Sequence, residues 1–126
     1  MCQYLRYNRG MMKTSLPMAP DRVRGCCVAL AEPLPDAKVD ELAAVFKALA
    51  DPTRVQMLHQ LKAAPEPICV CDFTAAFDLG QPTVSHHLGK LKAAGFIDSF
   101  KRGVWAFYQL RSDMSVPARA ALATIP

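Results

Sequence analysis

The chain has 126 residues, 52% of them apolar, and a formal net charge of +4. A chain of this size can bury a core without help from disulfides or a structural metal. Five cysteines, an odd number, argue against a secreted disulfide framework, and no apolar run approaches the roughly 18 residues that a membrane-spanning helix needs.

Residues 1–35 contain four prolines, three glycines or serines and scattered methionines, without periodicity, and read as a flexible N-terminal arm. The arm carries the adjacent pair Cys26 and Cys27. Its start is basic but lacks the apolar stretch of a secretory signal, so a cytoplasmic protein with reduced thiols and no membrane partner is expected. Met11, Met12 and Met18 leave a downstream start open, which would remove Cys2.

Residues 36–126 are expected to form one domain. From Val39 the pattern turns helical: Val39, Leu42, Ala43, Phe46 and Leu49 make a stripe at i, i+3, i+4, i+7 spacing that must be buried against something. Asp51-Pro52 closes this helix and opens a second, since aspartate caps well and proline suits the first helical position. Val55, Leu58 and Leu61 form the second helix's inner stripe, and "AAPEP" is the loop that ends it. A short third helix is predicted from about Asp72 to Asp78, with Phe73, Ala76 and Phe77 apolar. "LGQ" reads as a tight turn in which Gly80 is free to take positive φ.

A fourth helix runs from Pro82 to Ala94 over an inner stripe of Val84, Leu88 and Leu91, and Gly95 stops it. Two β segments follow, around Phe96–Phe100 and Val104–Leu110, joined at Lys101-Arg102-Gly103. The second is rich in aromatic and branched residues, as a strand should be. A last helical piece, Val116 to Thr124, buries Ala118, Ala121 and Leu122. Two helices joined by a short glycine-containing turn, followed by a hairpin, define the fold class: mainly α with a β-hairpin wing (α+β), a winged helix-turn-helix.

Charge is unevenly spread. Residues 26–78 carry eight acidic and four basic side chains, whereas residues 79–111 carry five basic ones against Asp98 alone. A basic segment beside an acidic one suggests a polyanion for one part of the fold, although such runs are commonly just solvated. In a helix-turn-helix the second helix enters the major groove and its first turns touch base edges. Those residues are Gln81, Thr83, Ser85 and His86, all off the apolar stripe and all able to form hydrogen bonds with bases. Lys90 and Lys92 further along, and Lys101 and Arg102 at the hairpin tip, are placed for phosphates, which position without specifying sequence. A plain amphipathic surface helix is the alternative. His86 and His87 do not suggest a metal pair, because adjacent helical residues do not face one ligand; His87 reads as a packed, hydrogen-bonded histidine at the edge of the core.

The candidate cap of the third helix is Cys71, where an oxygen-bearing side chain would hold the helix better. Two thiols, Cys69 and Cys71, at that place, with Cys26 and Cys27 upstream, point to metal, metalloid or redox chemistry. Any one of them alone would read equally as a small buried hydrophobe.

The segments "FKALADPTRVQMLHQL", "ICVCDFTAAFDLGQPTVSHHLGKLKAAGFI" and "KRGVWAFYQL" resemble the ArsR/SmtB family of metal-sensing repressors over about residues 38–112, and the C-V-C-D element resembles its arsenic-responsive branch. The resemblance implies a homodimer that sits on double-stranded operator DNA and releases it when an ion binds. The first and last helices would supply the dimer interface, through Val39, Leu42 and Phe46 and through Ala118 and Leu122. As(III), with Sb(III) beside it, is the implied inducer, held by three thiolates. Relatives without a thiol sensor commonly have Ser or Thr in place of Cys71. A thiol there gives up ~1 kcal/mol of capping and gains a thiolate favoured by the helix N-terminus, a soft ligand for a soft acceptor.

Some arsenic-responsive relatives place a third cysteine in the same helix, but Thr74, Ala75 and Ala76 offer none. Similar family members use an N-terminal cysteine pair that often reaches the partner subunit, so the implied site draws on Cys26, Cys27, Cys69 and Cys71. Four thiols also admit Cd(II), Pb(II) or Zn(II). The family's other zinc site, on the last helix, lacks candidates, because no His, Glu or further Asp follows Asp113. On the same fold, a redox switch would join Cys26 or Cys27 to Cys69 or Cys71, since a C-x-C bridge is strained. An enzyme acting on a small organic substrate is not expected: there is no phosphate loop, no carboxylate pair and no Cys–His nucleophile motif.

Overall fold

The computed structural model describes residues 30–126, and Leu42–Pro126 forms one compact unit. Among the described residues the order is α1 (Asp36–Leu49), α2 (Pro52–Ala63), β1 (Ile68–Cys69), α3 (Val70–Phe77), α4 (Gln81–Ala93), β2 (Ile97–Arg102), β3 (Trp105–Leu110) and α5 (Val116–Ala123).

Helix α1 starts on Pro35, whose carbonyl accepts from the N–H groups of Lys38 and Val39 at 2.9 and 3.1 Å. The expected stripe, assigned to the dimer interface, is not the face that meets the protomer's own core. Val45 and Ala48 are the buried residues, and Phe46 is 63% exposed. Ala43, Ala44, Val45, Phe46, Ala48 and Leu49 put apolar side chains round most of the helix, so period alone does not fix the inward face. Asp51 caps α2 as expected, its Oδ1 accepting from the Arg54 N–H at 3.1 Å. Arg54 then closes the end of α1, donating from Nε to the Ala48 carbonyl at 2.6 Å and from its terminal nitrogen to the Lys47 carbonyl at 3.1 Å. Carbonyls that a helix end leaves without a partner are thereby satisfied.

Nothing in the sequence marks β1, which is a strand only because Ile68 and Cys69 pair with Tyr108 and Phe107 of β3. The pairing makes a three-stranded antiparallel sheet in the order β1-β3-β2. Helix α3 begins at Val70, so its cap is Cys69 and not Cys71. The turn after it also differs from expectation: Asp78 takes the left-handed conformation at φ 50, and Gly80 is extended at φ −65. A short polar side chain tolerates that conformation, so the glycine's freedom is not used. Helix α4 has the expected inner face, with Val84, Leu88 and Leu91 fully buried. Gly95 at φ 84 stops it, and Gly103 at φ 62 turns the β2–β3 hairpin.

Phe73, Met57, Leu58, Phe96 and Ile97 join the α4 stripe in one core. Burying each such side chain is worth about 1.5–3 kcal/mol. Ser115 caps α5, accepting from the Ala118 N–H at 3.3 Å. Lys62 of α2 holds the far end, donating to the Ile125 carbonyl at 2.6 Å. Ala118 is fully buried and Leu122 is 7% exposed, both inside the protomer's own core. This corrects the reading of those two residues as dimer contacts: the apolar stripe of α5 is used up within one chain. No described helix is long and apolar enough to cross a membrane.

Candidate thiol site and nucleic-acid interface

Cys69 ends β1 and caps α3 with extended backbone angles and no side-chain hydrogen bond, while Cys71 lies in the first turn of α3. Cys69 is buried and Cys71 exposed, and both are free. The Cys71 thiol donates to the Cys69 sulfur at 2.7 Å, so one ion can meet both sulfur atoms. That hydrogen bond pushes the Cys71 thiol up from its ordinary pKa. Partial loss of water and the negative charges of Cys69 and Asp72 push the same way, and the Asp72 N–H opposes them without prevailing. The expectation of an acidified thiol is therefore not met at Cys71: its nearest neighbour is another sulfur, and the cap position belongs to Cys69.

Thr74 donates its hydroxyl to the Cys71 carbonyl at 2.8 Å and adds no soft ligand. Among the described residues no group of three or more His, Cys, Asp or Glu side chains could hold a metal ion. The donor set of two thiols fits a soft acceptor and is one or two ligands short of a closed site. Cys26 and Cys27, named as further ligands, lie outside the described residues.

Helix α4 presents Gln81, Thr83, Ser85, His86, Lys90 and Lys92 to solvent, opposite its buried stripe. Lys92 is already engaged, donating to Ser99 of the wing at 2.8 Å, and must exchange that partner to meet a phosphate. His87 corrects the sequence reading in one respect. It is packed, but its buried Nδ1 has no hydrogen-bond partner, and Asp51 Oδ1 stands 3.8 Å away. The Arg54 N–H, more than the charges of Arg54 and His87, holds the Asp51 carboxyl below its ordinary pKa.

Lys101 and Arg102 are exposed at the end of β2. Sequence reasoning missed how Arg102 is held: its guanidinium lies 5.4 Å from the Phe100 ring centroid and 5.6 Å from that of Phe107. The two rings stack at 5.7 Å. Phe100 and Phe107 are directly paired across the hairpin, so a β register read from the sequence could have found the contact.

A short helix leading through a turn into an exposed polar helix, followed by a basic hairpin, is a winged helix-turn-helix, a DNA-binding class. The profile of bacterial regulatory proteins of the arsR family matches residues 51–99. An uncharacterized HTH-type transcriptional regulator of Methanocaldococcus jannaschii is 42% identical over 60% of this chain and 84% of its own length. The arsenic resistance transcriptional regulator ArsR1 of Pseudomonas putida is 41% identical over 56% of this chain and 54% of its own. The cadmium resistance regulator CadC of Listeria innocua is 39% identical over 53% and 56%. The chain thus spans only about half the length of these two metal-named relatives. Among solved structures, the homodimeric winged helix-turn-helix domain Mb0332 of Mycobacterium bovis matches with a TM-score of 0.59, at 28% identity over 70% of this chain and 78% of that one. The chain belongs to the ArsR family of transcriptional regulators, whose members bind DNA and are not enzymes.

Proposed function

We propose that this protein is a homodimeric repressor that binds a pseudo-palindromic operator and releases it when As(III), or Sb(III), is captured by cysteine thiolates. The observation that carries the reading is the pair of sulfurs, Cys69 and Cys71, 2.7 Å apart at the start of the helix that leads into α4. A metalloid bound there acts on the element that presents Gln81, Thr83, Ser85 and His86. Cys26 and Cys27 of the arm supply the remaining ligands. Copies pair through α1, whose Phe46 is 63% exposed, and through the outer face of α5, where Val116 is 81% exposed. The named homodimer among the structural neighbours supports that pairing.

A second reading, Cd(II) or Pb(II) as the inducer, is favoured by the likeness to CadC and would draw all four thiols into one site. Because the two readings share the C-x-C pair, one experiment tests both. Cys69→Ser with Cys71→Ser is expected to bind operator DNA like the parent and to ignore both ions. Release by arsenite from the double variant would place the site elsewhere.

A further inference from the structure

Cys69 belongs to two structures at once. Its side chain stands beside Cys71 at the start of α3, and its backbone pairs with Phe107 in the wing sheet. The strand it forms is two residues long, against six paired positions between β2 and β3, so β1 is the part of the sheet held by least. Few paired positions make the β1–β3 pairing easier to give up than the β2–β3 pairing, while the Cys69 side chain stays packed in the core. The two residues opposite β1 point to opposite faces. Tyr108 meets Phe73 of α3 edge-on at 6.5 Å. Phe107 lies on the other face, stacked on Phe100 under the Arg102 guanidinium. Glu66 and Pro67, the residues just before β1, line a cavity of about 250 Å³ together with Arg102 and Phe107.

Resting on the reading that the thiol pair captures the inducer, we propose that the wing is a second output of that site. An ion drawn onto the Cys69 sulfur displaces the backbone of β1, the Cys69–Phe107 pairing yields, and the Phe107–Phe100–Arg102 stack loses its geometry. Arg102, held over two rings, is pre-ordered for a phosphate, which lowers the entropic cost of that contact. Once the stack is disturbed, that advantage goes. Glu66, in the same cavity, then offers the guanidinium an intramolecular carboxylate. The inducer signal thus reaches DNA through the hairpin as well as through α3 and α4.

Trp105, the chain's single tryptophan, is paired with Arg102 at the wing tip and is 54% exposed, so it reports on this movement without a label. The reduced full-length protein is titrated with arsenite in the absence of DNA, following Trp105 emission and acrylamide quenching alongside the count of free thiols. Trp105 is expected to change in step with thiol loss in the parent, and to stay silent in Cys69→Ser. In Phe107→Leu, the thiols are expected to be consumed as before while the Trp105 change falls at least severalfold. Thiols consumed in the parent with no change at Trp105 would overturn the wing route and leave the arsenite reading standing. Thiols that never react would overturn both, and an undiminished Trp105 response in Cys69→Ser would show that the wing moves for another reason.

Discussion

Cys71 holds its proton more tightly than an ordinary thiol, and a ligand that is still protonated makes the two kinds of inducer depend on pH differently. A divalent cation must expel the proton to bind sulfur. Arsenous acid need not, because As(OH)₃ and three thiols give three As–S bonds and three waters with no net proton released. The direction for Cd²⁺ follows from the raised pKa. Below it the thiol is protonated, so each pH unit gained lowers the cost of removing one proton, and the gain ends only above that pKa. An ordinary thiol titrates at about 8.5, and Cys71 lies above its ordinary value, so it is protonated over the whole span from pH 6 to pH 8. Cys71 alone makes Cd²⁺ affinity rise about tenfold per pH unit, or about 100-fold from pH 6 to pH 8, and each further protonated ligand multiplies that factor. Arsenite affinity is expected to change by less than about threefold over the same span. Competition against a chelator of known proton affinity measures the Cd²⁺ slope, and calorimetry in two buffers of different protonation enthalpy counts the protons. A flat Cd²⁺ affinity with no proton release would mean that Cys71 is already a thiolate, and the reasoning from the paired sulfurs would fail.

Other consequences follow for folding and for DNA. Asp51→Ala removes the α2 cap and is expected to cost ~1 kcal/mol in urea unfolding. Because the folded carboxyl is held below its ordinary 3.8, the loss is full above that pH and fades as the parent's Asp51 is itself protonated on acidification through the lowered folded value; equal stability at pH 7 would remove the cap from the account. His86→Ala or Ser85→Ala is expected to weaken operator over random DNA by about 1–3 kcal/mol if that side chain meets a base edge, and an unchanged preference clears the residue. Lys101→Ala is expected to shallow the log–log salt dependence of binding by about 0.9 per subunit phosphate contact; an identical slope would take the hairpin tip off the backbone.

Where one physical signal acted alone, the sequence was sufficient to place structure. Pro82, Gly95 and the Val84/Leu88/Leu91 period placed α4 to within a residue at each end, and the polar face read from it is the exposed face. Misreadings came where two faces or two partners competed. Apolar residues surround α1, so tertiary packing decided which of them meet the protomer's core, and Phe46, expected at the dimer contact, lies outside that core. The stripe on α5 was real but turned inward, because Ala118 and Leu122 fill the protomer's own core. Strand β1 has no local signature, since its two residues are defined by partners some forty positions later. Its presence moved the start of α3 and made Cys69 the cap. The thiol pair itself was legible from C-x-C spacing; the hydrogen bond between the two sulfurs required the geometry.

The most direct test of the central claim is release of operator DNA by the reduced parent protein, titrated in parallel with arsenite, antimonite, Cd²⁺, Zn²⁺ and peroxide and followed by fluorescence anisotropy of a promoter fragment. Release by arsenite and antimonite, with none by Zn²⁺ or peroxide, is the expected result. Release by peroxide alone, reversed by a reductant, would contradict it and make the cysteines a redox switch.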